Sequence, residues 1–351
     1  MTKLKIGYWP LTETLKSAGD RRRLVFWAKA RGHSIVTDLT QKVDVIIASE
    51  NADFNSNYFR NEKIPVIFDL VDAYLSPLSS RDDLARGIAK KLSGQISGTI
   101  KPYSHHVEDF CRNATLVICS SIEQELLIKS LNTKTSIILD SHEEIPFISP
   151  LDYGTKRSDK LQILWEGQPA TISGVGQIAS SLDVLTNAYD MQFNFVTDYR
   201  YYRLLNKYFE RNTLDILKKN LPNISKLTRI IPWSPENLAS YARSSNAAII
   251  PIDLSVPMQA LKPENRLLIM WRLGLPCLTS PSPAYARVAK KAGVNAVCEN
   301  LSDWNKNFSR LLEDKEYAKN EVLKGQEYLH ENHNGKILLK KWDMVFESVL
   351  G

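Results

Sequence analysis

Two carboxylates stand at the end of an apolar run near the start of the chain, in Ile67-Phe68-Asp69-Leu70-Val71-Asp72. Such a run is typical of a buried strand, and strand ends in open α/β sheets face the ligand-binding crevice. A carboxylate there can accept the proton of an attacking hydroxyl or orient that hydroxyl. We therefore predict Asp72 and Asp69 as catalytic residues. The alternative is that Asp72 caps the following segment and Asp69 is a turn residue.

A second group of polar residues precedes an apolar helical pattern at Lys262-Pro263-Glu264-Asn265-Arg266. Pro263 suits the first helical position, where the N–H that it lacks is not needed. The free N–H groups and positive dipole end of such a helix bind anions. Arg266 can add a charge-assisted hydrogen bond to phosphate. The segment therefore predicts a phosphate site at a helix start.

Three arginines, Arg21 to Arg23, follow Gly19 and Asp20 between a predicted strand and a predicted helix. Asp20 is predicted as the N-cap of that helix. Arginines in a first turn oppose the helix dipole, so the loop is predicted to bind an anion. The alternative is an exposed basic face.

Short β-branched runs alternate along the chain with longer segments of helical period, which indicates parallel sheets with crossover helices. At 351 residues the chain is long enough for two domains. A polar stretch over 140–160 predicts a linker, on which His142 is predicted to face the cleft; a solvated linker is the alternative. We predict an α/β fold of two Rossmann-like domains, residues 1–150 and 151–335, with a C-terminal helix over 336–351.

The predicted elements cover most of both domains. The first-domain strands are Lys5–Tyr8, Ser34–Val36, Val43–Ile47, Val66–Asp69, Leu116–Cys119 and Ser136–Leu139, with helices Arg21–Arg31, Asp82–Ile100 and Ile122–Leu131. The second-domain strands are Gln162–Trp165, Gln192–Val196, Thr228–Ile231, Ala247–Ile250, Cys277–Thr279 and Ala296–Cys298. The tail carries an apolar stripe that needs a partner surface, formed by Leu338, Trp342, Val345, Phe346 and Val349.

The segments 245–251 and 262–280 resemble the donor-site block of GT-B glycosyltransferases of the glycogen-synthase-like type, family 4. That block is a strand ending in Pro, here Pro251, then an "NKLLE" helix, here Asn265-Arg266-Leu267-Leu268-Ile269, then "GxPV", here Gly274-Leu275-Pro276-Cys277. Weaker resemblances lie at 113–123, 136–140, 165–167, 231–238 and 285–293. Together they cover nearly the whole chain in the family's order.

The resemblance implies two Rossmann-like domains facing a cleft, with the last helix crossing back to the first domain. It implies metal-independent transfer of a sugar, of hexosyltransferase type, from a nucleotide-sugar to a hydroxyl acceptor in glycan or glycolipid biosynthesis, without a further cofactor. The implied donor contacts are Gly167, Gln168, Trp233, Lys262, Glu264, Asn265 and Arg266. The implied acceptor contacts are Gly19, Asp20, Arg21 and His142.

Two departures from the family pattern leave alternatives open. The family's paired glutamates fall on Leu261 and Ile269, which cannot bind a sugar or ribose hydroxyl, and its phosphate-binding lysine falls near Ser173. The alternatives are a GT-B scaffold or binding subunit without donor chemistry and a GT-B sugar-nucleotide epimerase. The motif GxGxxA at 174–179 does not follow its strand directly, so we interpret it as a loop-to-helix start near the donor rather than an NAD site.

Composition bounds the partners. A net charge of +6 favours anionic partners without requiring nucleic acid. The lack of a signal-like start or of an apolar run of about 18 residues predicts a cytoplasmic protein. Four separated cysteines predict reduced thiols, and the histidines lack partners at metal-ligand spacing. Apolar residues every fourth position from Leu84 to Ile100, among basic residues, predict an amphipathic helix that contacts either the core or an anionic membrane.

Overall fold

The computed structural model describes residues 2–60, 63–77, 79–150, 160–203 and 209–351. It divides into two compact units: unit 1 is Met1–His142, Leu261–Pro263 and Gly335–Gly351, and unit 2 is Glu143–Ala260 and Glu264–Asn334. The sequence placed the boundary at residue 150. Residues 143–150 belong to unit 2 because the Arg272 side chain donates to the Ile145 carbonyl at 2.5 Å and the Arg272 carbonyl accepts from Ile148 N–H at 2.9 Å. Most of the predicted linker, 151–159, lies outside the described residues.

Unit 1 is built on a six-stranded parallel sheet of order β2-β1-β3-β4-β5-β6. The central strands are mostly apolar because both faces of the sheet are covered. The strands are β1 (Lys5–Trp9), β2 (Ser34–Val36), β3 (Val45–Ser49), β4 (Val66–Asp69), β5 (Leu116–Cys119) and β6 (Thr135–Ile137). The helices are α1 (Ala18–Arg21), α2 (Leu24–Arg31), α3 (Ser80–Leu92), α4 (Tyr103–Asn113) and α5 (Ile122–Ile128), with a 3₁₀ turn at Asn57–Arg60.

Two helix predictions in this unit are corrected. The predicted helix Arg21–Arg31 is two helices, and the N-cap of α1 is Ser17, whose hydroxyl accepts from Asp20 N–H at 3.2 Å. The predicted helix Asp82–Ile100 ends at Leu92, shortly before Gly94, which has a φ of 75°. A left-handed residue is the usual end of a helix, and only glycine adopts it at no steric cost.

The C-terminal helix α16 (Gly335–Leu350) belongs to unit 1, as the resemblance implied. The Phe346 and Trp27 rings stack with centroids 4.0 Å apart. Asp343 accepts from the Trp27 indole N–H at 2.8 Å and from the Arg31 guanidinium. The apolar stripe of the tail thus finds its partner surface on α2.

Unit 2 is built on a five-stranded parallel sheet of order β11-β8-β7-β12-β13. Its strands are β7 (Leu161–Glu166), β8 (Met191–Val196), β11 (Thr228–Ile231), β12 (Ala247–Ile250) and β13 (Cys277–Thr279), and a separate hairpin pairs β9 (Arg200–Arg203) with β10 (Phe209–Asn212). The helices are α6 (Ile172–Gln177), α7 (Ala179–Ala188), α8 (Thr213–Asn220), α9 (Pro222–Ser225), α10 (Pro235–Ser244), α11 (Pro257–Ala260), α12 (Asn265–Arg272), α13 (Pro283–Ala292), α14 (Leu301–Glu313) and α15 (Lys315–Asn332), with a 3₁₀ turn at Pro169–Thr171.

Two further predictions are corrected in unit 2. The predicted strand Ala296–Cys298 is an isolated bridge between Val297 and Thr279. The GxGxxA glycines, interpreted as a loop-to-helix start, lie inside α6. A Cβ at Gly174 would lie 2.3 Å from the Pro251 carbonyl oxygen. That glycine therefore serves the close packing of α6 against the end of β12.

Three chemical expectations can be compared with the described residues. All four cysteines are buried free thiols, as predicted. Across the described ranges, no group of three or more His, Cys, Asp or Glu side chains could hold a metal ion. In the same residues, no helix has the length and apolar character needed to cross a membrane.

Candidate functional site

Asp69, one of the two predicted catalytic carboxylates, is closed to substrate. Its side chain is 2% exposed and pairs with Arg23, whose side chain is fully buried. The Arg23 Nε donates to Asp69 Oδ2 at 2.9 Å, and its Nη1 donates to the Ile138 carbonyl at 2.6 Å and lies 3.4 Å from Asp140. A buried guanidinium needs an opposite charge nearby, and Asp69 supplies it. Through Arg23, Asp69 at the end of β4 is linked to the Ile138 carbonyl, which follows β6. The structure favours a structural role for Asp69 over the predicted catalytic one.

Asp20, predicted to contact the acceptor, is fully buried and organises its own loop. Its carboxylate accepts from the Tyr8 hydroxyl at 2.7 Å and from the backbone N–H groups of Leu11 and Thr12 at 2.8 and 3.0 Å. The three hydrogen bonds explain why a carboxylate can sit there. Asp20 therefore positions the loop.

The other predicted acceptor contacts have mixed surroundings. A Cβ at Gly19 would lie 2.3 Å from Leu11 Cδ1, so a larger residue here would displace the Leu11 side chain. The Arg21 Nη1 donates to the Lys16 carbonyl at 2.7 Å. His142 is 2% exposed, which rules out the solvated-linker alternative and also removes its ring from open solvent.

Asp72 is the predicted catalytic carboxylate that remains accessible. It follows β4, and its side chain is 32% exposed. The Lys262 Nζ lies 3.3 Å from its Oδ1. Its carbonyl accepts from the Gln124 side-chain amide at 2.9 Å, and its N–H donates to Glu50 Oε2 at 2.9 Å. The backbone of Asp72 is thus fixed while its carboxylate can meet a substrate.

Lys262 is an implied donor contact whose role stays a prediction. It groups with unit 1, whereas the other implied donor residues belong to unit 2. Its neighbour Leu261 is held there by the Ser121 hydroxyl, which donates to the Leu261 carbonyl at 3.1 Å. A local sequence pattern cannot show that the three residues before a helix belong to a different unit from the helix itself.

Glu50 is a functional candidate that the sequence reasoning missed. It directly follows β3, and it is 7% exposed. Burial, and after it the charge of Asp72, raises the pKa of Glu50 to about 8. The rule that singled out Asp72, a carboxylate directly after an apolar strand, also applies to Ile46-Ile47-Ala48-Ser49-Glu50 and could have found it.

Two cations from α3 complete the surroundings of Glu50. The Lys90 ammonium lies 4.5 Å from the centroid of the Tyr103 ring, and the Arg86 guanidinium lies 5.3 Å from that of Tyr74. Burial lowers the pKa of Lys90 to about 8, against the opposing charge of Glu50. We call these residues the unit 1 cluster: Glu50, Asp72, Tyr74, Arg86, Lys90, Tyr103 and Lys262.

A second group of polar residues surrounds the end of β7 in unit 2. Glu166 is the last residue of this strand. Its Oε1 accepts from the Trp233 indole N–H at 3.0 Å, and its carbonyl oxygen accepts from Arg266 Nη1 at 3.4 Å. Three elements thus meet at one edge of the sheet: the end of β7, the segment that follows β11, and the first turn of α12. We call Glu166, Gly167, Trp233 and Arg266 the unit 2 cluster.

Gly167 lies close to the side chains around it. A Cβ there would lie 2.9 Å from Thr171 Oγ1 and 3.2 Å from Arg266 Nη1. Gln168, another implied donor contact, is exposed, and its carbonyl accepts from Thr171 N–H at 2.8 Å. Burial raises the pKa of the nearby Tyr285, and the charge of Arg266 opposes that shift.

The start of α12 differs from its prediction by two residues. Glu264 is the N-cap and Asn265 the first helical residue, so Pro263 does not occupy the first helical position. Pro263 instead belongs to the segment that packs with unit 1. The Asn265 Oδ1 is buried, with no hydrogen-bond partner among the described residues. Ile269, at one of the family's glutamate positions, is 1% exposed and belongs to the core.

No protein-family profile and no curated protein matches the sequence. Several solved structures, however, match its fold. Anabaena HepE in complex with UDP and glucose matches with a TM-score of 0.66 and 11% identity over 98% of this chain and 100% of that one. WaaG, a glycosyltransferase involved in lipopolysaccharide biosynthesis, matches with a TM-score of 0.55 and 12% identity over 97% and 99%. TarM matches with a TM-score of 0.58 and 10% identity over 86% of this chain and 54% of its own, so this chain spans about half the length of TarM.

This chain has the GT-B fold. The predicted fold class is therefore confirmed, including the C-terminal helix that belongs to the first domain. Within this fold the structure brings together Gly167, Trp233 and Arg266 of the implied donor contacts, and it adds Glu166. The residue roles themselves stay predictions.

Proposed function

We propose that this protein is a glycosyltransferase that moves a sugar from a nucleotide-sugar donor to a hydroxyl acceptor in glycan or glycolipid biosynthesis. The observation that carries the proposal is the unit 2 cluster, which sets a guanidinium and a helix start at one strand end in a chain of GT-B fold. HepE, a neighbour of the same fold, was solved with UDP and glucose. A further neighbour, WaaG, is a glycosyltransferase involved in lipopolysaccharide biosynthesis.

Arg266 and the first turn of α12 would bind the diphosphate of the donor. The guanidinium is half-buried in the first turn of an eight-residue helix, where its charge adds to the helix dipole. As the bond between the anomeric carbon and the phosphate oxygen breaks, the electron pair leaves with the nucleoside diphosphate. Arg266 would stabilise the negative charge that develops there.

Asp72 would accept or orient the proton of the acceptor hydroxyl as the new carbon–oxygen bond forms. The Lys262 Nζ pairs with Asp72 Oδ1 at 3.3 Å. Asp72 is partly exposed and can meet an acceptor, whereas the Asp69 and Asp20 side chains are buried.

We further propose that transfer is metal-independent and of hexosyltransferase type. Arg266 supplies the positive charge that a divalent ion would otherwise bring to the leaving diphosphate. Turnover with a hexose nucleotide should therefore persist in excess chelator, and a loss of turnover that added magnesium restores would contradict this part of the proposal.

A binding subunit without transferase chemistry is the alternative that a specific observation favours. Ile269 is buried in the core, so the family's paired glutamates have no counterpart at this position. Such a subunit could still bind nucleotide through Arg266 but would release no nucleoside diphosphate when acceptor is present.

Calorimetric titration with a panel of nucleoside diphosphates, together with a turnover assay on nucleotide-sugars, tests both readings. Arg266→Ala should remove a hydrogen bond to a charged group worth about 1.5–3 kcal/mol, which weakens binding by about one to two decades. Arg243→Ala, which removes an exposed arginine on α10, is the matched control and should bind like wild type. Equal binding by wild type and Arg266→Ala would remove Arg266 from the site. Binding without release of nucleoside diphosphate would favour the binding subunit, and absence of any binding would overturn the donor site.

We also propose peripheral contact with an anionic membrane through α3. Leu84, Ile88 and Leu92 lie one turn apart on this helix and are 40%, 37% and 76% exposed. Exposed apolar residues beside basic ones favour anionic lipid surfaces. Co-sedimentation with phosphatidylglycerol vesicles should exceed that with phosphatidylcholine vesicles and fall for Leu92→Ser. Equal pelleting by Leu92→Ser and wild type would remove α3 as the contact.

A further inference from the structure

Glu50 is a buried carboxyl group that the proposed transfer does not use. Its Oε2 accepts the backbone N–H of Asp72 at 2.9 Å, and its own backbone carbonyl accepts from the Tyr103 hydroxyl at 2.8 Å. The side chain is therefore anchored at its base and directed onto the backbone of the accessible carboxylate.

The charged and titratable groups that interact with Glu50 are Asp72 after β4, Lys90 on α3, Lys262, and the phenols of Tyr74 and Tyr103. Arg86, also on α3, lies beside the two phenols and Lys90. The two lysines are engaged elsewhere: Lys262 pairs with Asp72 at 3.3 Å, and Lys90 Nζ donates to Gln95 Oε1 at 2.9 Å. Within the described residues, none of these cations forms an ion pair with Glu50.

A buried carboxylate without a paired cation is unfavourable, so the neutral acid is the preferred form. Burial and the neighbouring charge of Asp72 raise the pKa of Glu50 to about 8, and the hydrogen bond from the Asp72 N–H and the charges of Lys90 and Lys262 oppose that shift only in part. Once Glu50 ionises, a second negative charge stands beside Asp72. The two negative charges repel each other across the buried contact between them.

We propose that Glu50 is a positioning residue for Asp72, which it holds through the backbone hydrogen bond and serves best as the neutral acid. This inference rests on the proposed transfer reaction, in which Asp72 meets the acceptor hydroxyl. We therefore expect acceptor turnover to fall in mildly alkaline solution because Glu50 ionises, although Glu50 does not touch the reacting groups.

Glu50→Gln tests the inference, because glutamine keeps an oxygen to accept the Asp72 N–H and remains neutral at every pH. Acceptor turnover is measured near pH 7 and near pH 9, where about a tenth of Glu50 stays protonated in wild type. The ratio of turnover at high to low pH should be about five- to tenfold larger in Glu50→Gln than in wild type. Glu108→Gln, which alters a carboxylate paired with Arg112 on α4, is the control and should keep the wild-type ratio. Equal ratios in wild type and Glu50→Gln would overturn the proposal.

A second measurement does not depend on catalysis. The backbone amide resonance of Asp72 should titrate with a midpoint near 8 in wild type, and Glu50→Gln should abolish that titration. Glu50→Ala should lose the protection of this amide from hydrogen exchange, and Glu50→Gln should restore it. If wild type transfers no sugar, the proposed function fails and this experiment still decides the role of Glu50. An Asp72 amide that does not titrate in wild type would overturn the positioning role.

Discussion

The buried pair of Arg23 and Asp69 distinguishes a structural carboxylate from a catalytic one. Asp69→Asn keeps the size of the side chain but removes the charge that faces a fully buried guanidinium. Breaking a buried pair by removing one partner costs about 3–5 kcal/mol because the remaining charge is uncompensated. Asp140, 3.4 Å from Arg23, retains part of the compensation. We therefore expect a loss near the lower end, about 3 kcal/mol.

Urea unfolding followed by tryptophan fluorescence measures this loss, since Trp27 and Trp342 lie in the core of the same unit. Asp109→Asn is the matched control, because it breaks pairs with Lys101 and Arg112 at the surface. Surface pairs contribute about 0–1 kcal/mol, so this variant should unfold close to wild type.

The same two variants are assayed for turnover per folded molecule. If the role of Asp69 is structural, the folded fraction of Asp69→Asn should keep substantial turnover. A variant with wild-type stability, within about 1 kcal/mol, and a large loss of turnover would refute the structural assignment and return Asp69 to the catalytic residues.

Two further predictions follow from packing and from burial. Gly174→Ala should destabilise unit 2 by about 1–3 kcal/mol, because its Cβ would lie 2.3 Å from the Pro251 carbonyl oxygen. Gly176→Ala in the same helix is the control and should be neutral or stabilising, since a Cβ there meets nothing within 4 Å. Equal urea midpoints for the two variants would contradict the packing argument. Ionisation of Glu50 opposes folding, since its pKa is raised from 4.5 to about 8. Wild type should therefore lose stability relative to Glu50→Gln as the pH rises from about 4.5 to about 8, by several kcal/mol in the upper part of that window, and parallel urea midpoints across it would count against a neutral Glu50.

The GT-B fold could be predicted from the sequence because its signals are local. The strands Ser34–Val36, Val66–Asp69 and Thr228–Ile231 were predicted to the residue, since each is an apolar or β-branched run between turn residues. The apolar stripe of the tail likewise required a partner, whatever that partner was. A periodicity of two or of 3.6 residues is written in the order of the residues alone.

Helix starts were harder, because several residue types cap equally well. Ser17 and Asp20 are both good N-cap residues, and the sequence favoured Asp20. The structure uses Ser17, since the Asp20 carboxylate is taken by Tyr8 and by the loop that follows β1. The choice between two acceptable caps was made by hydrogen bonds that form only after the chain has folded.

The site itself depended on tertiary structure. Asp69 and Asp72 stand in the same sequence context, and what separates them is Arg23, 46 residues from Asp69, and Lys262 from a distant loop. The sequence by itself determined that carboxylates would stand at the ends of parallel strands. Only the tertiary structure decided which carboxylates would be paired, buried or exposed. The residues that pack against each carboxylate set the free energy of its charge.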